Sequence, residues 1–390
     1  MKLDNQINQG CVDVPLGFEK MTVSKLIDHG LITDLCEGGF PLHTPIGSII
    51  LNNIESIFEH NALRDEFNKF GLPNAMKTSV LEKGQEIGDQ FRSKLMELSG
   101  SLQDYHVMST HEAKTMEWQK KYQASYKQLP IRNYYIDELH RHMPYTRGSL
   151  ISRQIRIFGG ISIEENGHAS DGIEAIKNIV SDSLAKIGLP VHVEQNYKGF
   201  DYEFFHLTQP KDGVIEGENI VLPGIDKDKR VKAFSVGMIY NYPMEGEWKM
   251  RYRSAFNKNA NPELITFGFC TQRVLYCLMM SCRDEKGFNL PEAARPFNYY
   301  IIPCNENDLD DAEHLYKNLR SKFNGFATPP KVALDNRFNR SIDQRCKSSD
   351  YIGAPVKLLV KDGAVMGISR DGTRTMEPTP IEQAKNVLSL

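Results

Sequence analysis

The chain has 390 residues, 40% hydrophobic and 25% charged, with 47 Lys and Arg against 50 Asp and Glu and a net charge of −3. This length exceeds the usual domain of roughly 100 to 200 residues, so two domains and a sizeable core are expected, and the near-balanced charge excludes a global basic field, leaving nucleic acid only a local patch to meet. Seven scattered cysteines (11, 36, 270, 277, 282, 304 and 346) with no CxxC suit reduced thiols better than a disulfide framework. No apolar run approaches the roughly 18 residues of a membrane span, and polar sequence follows Met1, so a cytoplasmic protein without membrane contact is expected.

From position 49 to 67, apolar residues recur at 50, 54, 57 and 58, the spacing of one helical face. YYI at 134 to 136 and SRQIRIFGGISI at 152 to 163 predict paired strands around a loop. Ser170 and Asp171 are placed to cap a helix with the stripe Ile173, Ile176, Val180, Leu184 and Ile187, stopped by Gly188 and Pro190. FDYEFFHL and AFSVGMIY predict another strand pair, and DKDKRVK at 226 to 232 a solvated loop. Strands interleaved with helices argue for a mixed α/β (α+β) domain with an antiparallel sheet. PEAARPF then marks a boundary, so the domains expected are 1–293 and 294–390. In the second, FNYYIIP, a helix with Leu309, Ala312, Leu315, Tyr316 and Leu319 on one face, VALD, a short helix and VKLLV alternate as a small α/β unit.

The most informative stretch runs from Asp104 to Glu138 and on through LHRHMPYTRGSLISRQI. It holds Ser-Thr-His-Glu at 109 to 112, Leu-Pro at 129 to 130, and an arginine-rich hairpin with Arg141 and Arg153. A carboxylate suits a protonated amine, and a guanidinium fork suits carboxylate or phosphate. His111-Glu112 lacks a second histidine at the zincin spacing, so no metal site is expected there. Gly159-Gly160 is too short a signal for a phosphate loop and fits a strand, and Cys277 and Cys282 fit core thiols.

Taken in order, these pieces resemble the class II aminoacyl-tRNA synthetase family, prolyl-tRNA synthetases in particular. SKLIDHGLITDLCEGGFPLHTPIGSIILNNIESIF resembles the segment leading into the motif 1 helix, YHVMSTHEAKTMEW the Pro-Thr-x-Glu segment, and SYKQLPIRNYYI the strand entering motif 2. FGFCTQRVLYCLMMSCRDEKGFNLPEAARPFNYYIIP resembles motif 3 running into an anticodon-binding domain, with Asp284-Glu285-Lys286-Gly287 and Pro296-Phe297 its most specific elements. The resemblance implies a class II antiparallel sheet flanked by helices, a C-terminal anticodon-binding-like domain, and ATP-dependent activation of an amino or imino acid, proline by default, with ATP and Mg2+ as cofactors and tRNA or another molecule as acceptor. By the same resemblance Arg141 bridges substrate carboxylate and α-phosphate, Arg273 clamps the ATP tail, Thr110 and Glu112 receive the substrate nitrogen, and Arg153, Gln154 and Asn241 complete the nucleotide side. A homodimer is the family's usual assembly.

Each residue also has a plainer reading. Glu112 is a first-turn carboxylate favoured by a helix dipole, Arg141 a loop arginine exposed to solvent, and Arg273 the opening residue of a core helix. Arg337, Arg340, Arg345 and Lys347 form either a phosphate-binding cluster or a solvated helix face. The pattern also departs from the family. Thr78 stands where motif 1 ends in proline, Met143 where motif 2 has its acid, Ile155 where an aromatic stacks on adenine, and Cys270 where motif 3 has its second glycine. The large editing insertion of bacterial members is absent. These departures support a rival reading: a degenerate paralogue serving as a regulatory, tRNA-binding or accessory subunit.

Overall fold

A computed structural model of the chain describes residues 1–3, 13–16, 20–82, 93–121, 125–146, 148, 150–197, 200–207, 218–221, 230–242, 250–321 and 331–387. Contacts gather them into two compact units, one of 1–35, 42–56 and 278–390, the other of 36–41 and 57–277.

Helix α1 spans Pro45–Arg64. It begins earlier than its apolar stripe, because the Thr44 hydroxyl accepts from the Gly47 N–H at 3.1 Å and Pro45 fills the first helical position, where a missing N–H costs nothing. It ends at Arg64, and Glu66 follows with a φ of 64°. The short helix α2 covers Glu112–Gln119 and α3 covers Ala169–Lys186. Here the expected cap shifts: His168 is the N-cap, and Ser170 and Asp171 lie in the first turn, where the Asp171 carboxylate takes the His168 ring nitrogen at 2.9 Å.

The larger unit is built on an eight-stranded sheet. Its strands are β1 (Asn68–Lys69), β2 (Ile131–His140), β3 (Gln154–Glu164), β4 (His192–Tyr197), β5 (Phe200–Leu207), β6 (Glu218–Val221), β7 (Arg230–Tyr242) and β8 (Glu263–Cys270). They lie in the order β1-β2-β3-β8-β7-β5-β4, with β6 on β7; every pairing is antiparallel except β1 with β2. The sheet is therefore the mixed α/β, antiparallel class expected. Of the predicted loop at 226 to 232, residues 230 to 232 open β7 and the remainder lies outside the described residues.

Alternation along the strands gives the sheet two chemically different faces. Tyr134, Phe158, Phe267 and Phe269 lie on one face, where Phe58 of α1 packs 5.1 Å from Phe158 and 6.4 Å from Phe269. Leu139, Ile161, Ile163 and Leu264 lie on the other and pack with Met76, Val80, Met108, Ala113 and Met116. Residue 135 and its odd-numbered neighbours share this second face, which carries the site.

In the other unit, β9 (Tyr299–Pro303), α5 (Leu309–Ser321), β10 (Val332–Asp335), α6 (Ile342–Ile352) and β11 (Val356–Lys361) follow the expected alternation. Ala312, Leu315, Tyr316 and Leu319 of α5 enter its core. Two further strands, Ala364–Ser369 and Arg374–Pro380, extend the sheet antiparallel at one edge, and Lys2–Leu3 joins it parallel at the other. The basic cluster divides: Lys347 lies on an exposed helix face, as one reading had it, and Arg340 is partly exposed, whereas Arg337 and Arg345 are buried. Arg337 is 1% exposed and bonds both Asp335 oxygens and Asp13, while Arg345 is 2% exposed and donates to the Pro303 and Asp335 carbonyls. Arg340 pairs with Asp13 and Lys347 with Asp343. Long apolar stems permit such burial where the head meets acceptors, as at Arg337, while the Arg345 Nε has no hydrogen-bond partner among the described residues.

Candidate active site

Segment 109 to 112 enters α2 and is pinned at both ends. The Arg141 Nε donates to the Ser109 carbonyl at 3.0 Å, and the Thr115 hydroxyl and N–H donate to the His111 carbonyl at 2.9 and 3.0 Å. Thr110 donates through its hydroxyl to the Glu112 carboxylate in a short hydrogen bond. Arg141 follows β2 directly, its N–H donating to the Arg153 carbonyl at 2.8 Å, so alternation keeps it on the same face as Tyr135. Arg273 lies in the first turn of the helix α4 (Thr271–Ser281) and donates to the Ser235 carbonyl at 3.0 Å and to the Leu150 carbonyl at 3.4 Å.

Electrostatics tie these groups into one site. Burial pushes the Glu112 carboxyl above its ordinary range, and its own backbone N–H and Arg141 offset only part of that. Burial pulls Arg141 down; Glu112 supports its charge and Arg273 opposes it. A guanidinium stays charged under such a shift. Two cations and one carboxylate facing one another without a full complement of anions make a site suited to an anionic ligand that also carries a positive nitrogen.

The floor comes from glycine. Gly159 lies beneath the Tyr135 ring, where a Cβ would fall 2.6 Å from the hydroxyl and 2.7 Å from the ring carbon that bears it. The His111 ring lies 4.0 Å from the Tyr135 ring at an interplanar angle of 55°. At the end of β8, Cys270 sits opposite Ile157, and its thiol accepts from the Gln272 and Arg273 N–H groups that open α4. Burial raises that thiol above its ordinary range and Arg273 offsets part of the shift. Ser235 donates to the buried Glu203 carboxylate at 2.6 Å.

The structure thus brings together Thr110, Glu112, Arg141 and Arg273. Three other expected residues have their side chains engaged or directed elsewhere. The Arg153 guanidinium donates to the Gly38 carbonyl at 2.6 Å and the Met143 carbonyl at 3.3 Å, bracing the hairpin. Gln154 bonds Glu138 at 2.6 Å on the opposite, Phe158-bearing face. Asn241 is exposed and, paired with Ile265, shares that opposite face by alternation; its N–H donates to Asp201 at 2.6 Å. Tyr135 and His111 were not among the expected site residues. The signal for Tyr135 was present in the period of two, since 135 and 141 share a parity along one strand. Among the described residues no group of three His, Cys, Asp or Glu is placed to hold a metal ion, and no helix is long and apolar enough to cross a membrane.

Two kinds of relative match this chain. A proline–tRNA ligase of Wolbachia sp. subsp. Brugia malayi is 22% identical over 428 residues, covering 95% of this chain and 97% of that protein. A second, from Wolbachia pipientis wMel, is 23% identical with the same coverage, and a probable mitochondrial proline–tRNA ligase of Schizosaccharomyces pombe is 21% identical over 86% of this chain and 84% of its own. The solved prolyl-tRNA synthetase of Giardia lamblia, in complex with prolyl-adenylate, superposes with a TM-score of 0.71 at 18% identity over 94% of this chain and 74% of that one. The chain is a relative of the prolyl-tRNA synthetases. The Cryptosporidium parvum prolyl-tRNA synthetase, complexed with halofuginone and AMPPNP, gives 0.68 at 15% identity over 94% and 76%. No family model matches. The class II synthetase fold accounts for the antiparallel sheet and its covering helices.

Proposed function

We propose that this synthetase relative activates an amino or imino acid, proline by default, by joining its carboxylate to the α-phosphate of ATP with loss of pyrophosphate. The observation that carries the proposal is that Arg141 bonds the 109–112 segment, where Thr110 donates to Glu112, and interacts electrostatically with both Glu112 and Arg273. In the reaction a carboxylate oxygen attacks the α-phosphorus and the bond to the β-phosphate oxygen breaks. The nucleophile is already ionised, so no general base is required, and catalysis rests on alignment and on stabilising added negative charge. Arg141 interacts electrostatically with both Glu112 and Arg273, which supports the reading that one guanidinium serves both substrate carboxylate and phosphate. Glu112 and Thr110 hold the positive nitrogen. Mg2+ would arrive with ATP, held largely by the phosphates of the nucleotide.

Residues 294–390 we take to be the anticodon-binding-like domain, 1–293 the catalytic one, and the assembly a cytoplasmic homodimer, with tRNA or another molecule as acceptor. Within the C-terminal domain the buried Arg337 and Arg345 are structural, so any RNA contact falls to other residues. A second reading, a degenerate paralogue acting as an accessory or tRNA-binding subunit, is favoured by one observation: Arg153, Gln154 and Asn241 are bound elsewhere or face away from Arg141. Amino-acid-dependent ATP–pyrophosphate exchange over a panel including proline and its analogues separates the two. Exchange with at least one amino acid is the expected result, and its absence with every amino acid, alongside tRNA or protein binding, selects the second.

A further inference from the structure

Between β7 and β8 the chain makes a small hairpin from two-residue strands, Tyr252–Arg253 and Asn259–Ala260. Residues 250 to 262, MRYRSAFNKNANP, hold three cations and no acid in a chain of net charge −3. The hairpin is anchored at its base and closed at its tip. Tyr252 is buried and its hydroxyl accepts from the Asn166 N–H at 3.1 Å, while Arg253 lies in parallel register beside Ser125. At the tip the Ser254 N–H donates to the Lys258 carbonyl and the Asn257 N–H to the Ser254 carbonyl, both at 2.9 Å, and the Arg253 guanidinium donates to the Asn257 side-chain oxygen at 2.7 Å. Asn257 takes a φ of 61°, a left-handed turn position that asparagine tolerates. This fixed turn presents Phe256 to solvent with 87% of its surface exposed.

A single exposed apolar residue is ordinary; the surroundings of this one are not. Arg251, Arg253 and Lys258 are exposed, as is Lys127, two residues beyond Ser125, and among the described residues none of the four forms an ion pair with a carboxylate. Exposed cations elsewhere do: Arg64 pairs with Asp182, Lys347 with Asp343 and Arg374 with Glu377. A protein partner would want apolar neighbours around the ring, because interface cores are depleted of charge, and the hairpin exposes only Ala255 beside it. An aromatic face among cations without counter-charges matches instead the repeating unit of a single strand, an unstacked base next to a phosphate. We propose that this hairpin is a docking surface for unpaired RNA, the single-stranded portions of a tRNA, with Phe256 stacking on a base and Arg251, Lys258 and Lys127 meeting phosphates while Arg253 braces the turn. The inference rests on tRNA being a partner, as in the reading above, and not on the adenylation chemistry.

The test is fluorescence anisotropy of the full chain with labelled unfractionated tRNA and with a labelled oligouridylate, a strand without secondary structure. Phe256→Ala should weaken binding of both probes by about ten-fold, the effect of one stacked base, and Phe256→Trp should restore it. Arg251→Gln together with Lys258→Gln should flatten the dependence of log K for oligouridylate on log salt concentration by roughly 0.7 for each cation removed. The substituted side chains are exposed, so the melting temperature stays at the wild-type value. Wild type that binds tRNA equally well after Phe256→Ala, or whose tRNA is not displaced by oligouridylate, overturns this inference alone. Wild type that binds neither probe at low salt removes tRNA from the reading above, and this inference with it. A wild-type dimer that Phe256→Ala converts to a monomer with RNA binding unchanged assigns the tip to contacts between copies of the chain and overturns the inference as well.

Discussion

Replacing Arg141 by lysine separates charge from geometry at the centre of the site. The guanidinium does two things there. Its Nε holds the Ser109 carbonyl at 3.0 Å, and its charge is supported by Glu112 and opposed by Arg273. Lysine keeps the charge but has no Nε partway along the stem, so the Ser109 carbonyl loses its donor at a cost of about 1.5–3 kcal/mol, the range for a bond involving a charged group. In a protein of this size that lowers the melting temperature by roughly 2–4 °C per kcal/mol, so the fold survives. Activity should fall much further. A point charge cannot bridge carboxylate and phosphate as a planar fork does, and removal of one such preorganised donor costs about 10²–10³ in rate, or ~2.7–4 kcal/mol of transition-state stabilisation. Arg141→Ala loses the charge as well. Its folding cost stays below the ~3–5 kcal/mol of a stranded buried ion, because Glu112, already pushed toward its neutral form by burial, takes up a proton. The assay is amino-acid-dependent ATP–pyrophosphate exchange with thermal denaturation in parallel. A folded Arg141→Ala protein exchanging within about three-fold of wild type would refute the placement of the reaction on this face.

Glu112 should make amino-acid binding pH-dependent. An ammonium needs the ionised carboxylate, so affinity rises as pH climbs through the raised pKa, and Glu112→Gln gives a weak, flat profile; a wild-type profile equally flat tells against the carboxylate. For stability the sign is opposite. Between the ordinary and the raised pKa the folded state binds the extra proton, so wild-type stability declines as pH rises through that window while Glu112→Gln is unaffected, a difference that urea titrations at several pH values would reveal or exclude. Cys270→Gly removes the thiol from the start of α4 and restores close backbone approach; ATP KM should drop by about three-fold, that is by under 1 kcal/mol, and an ATP KM that rises would show that the sulfur helps the nucleotide. Arg337→Ala strands Asp335 and should cost about 3–5 kcal/mol in chemical denaturation; normal stability with lost tRNA affinity would instead make Arg337 a phosphate contact.

Much of the fold was legible because its signals are local. The strands expected at 134–136 and 152–163 appear as 131–140 and 154–164, and the amphipathic stripe of α5 and the alternation of the C-terminal unit are found in the structure. A boundary moved where capping chemistry outweighed hydrophobic pattern, at Thr44–Pro45, and the start of α3 fell at His168 rather than at the expected Ser170 and Asp171. Long-range partners left no trace in the chain. Arg337 and Arg345 sit in a run that reads as a basic surface, yet Asp335 and Asp13 draw one inward and two carbonyls the other. Lys2–Leu3 pairing with Val332–Asp335 joins segments over three hundred residues apart, and no window of sequence contains both.

The same distinction applies inside the site. Thr110 and Glu112 stand two residues apart, and strand parity carries Tyr135 to the side of Arg141, so the neighbourhood of these residues follows from short spacings. The nucleotide half was assigned by order along a family pattern, and order does not fix a face. Gln154 and Asn241 each fall on the parity opposite to Arg141, and Arg153 is held by two backbone carbonyls. If ATP binds here, Arg273 is therefore the guanidinium best placed to share it with Arg141, and a double substitution of Arg153 and Asn241 should alter exchange far less than Arg273→Ala alone. Equal losses would mean that the nucleotide side rearranges when ATP enters.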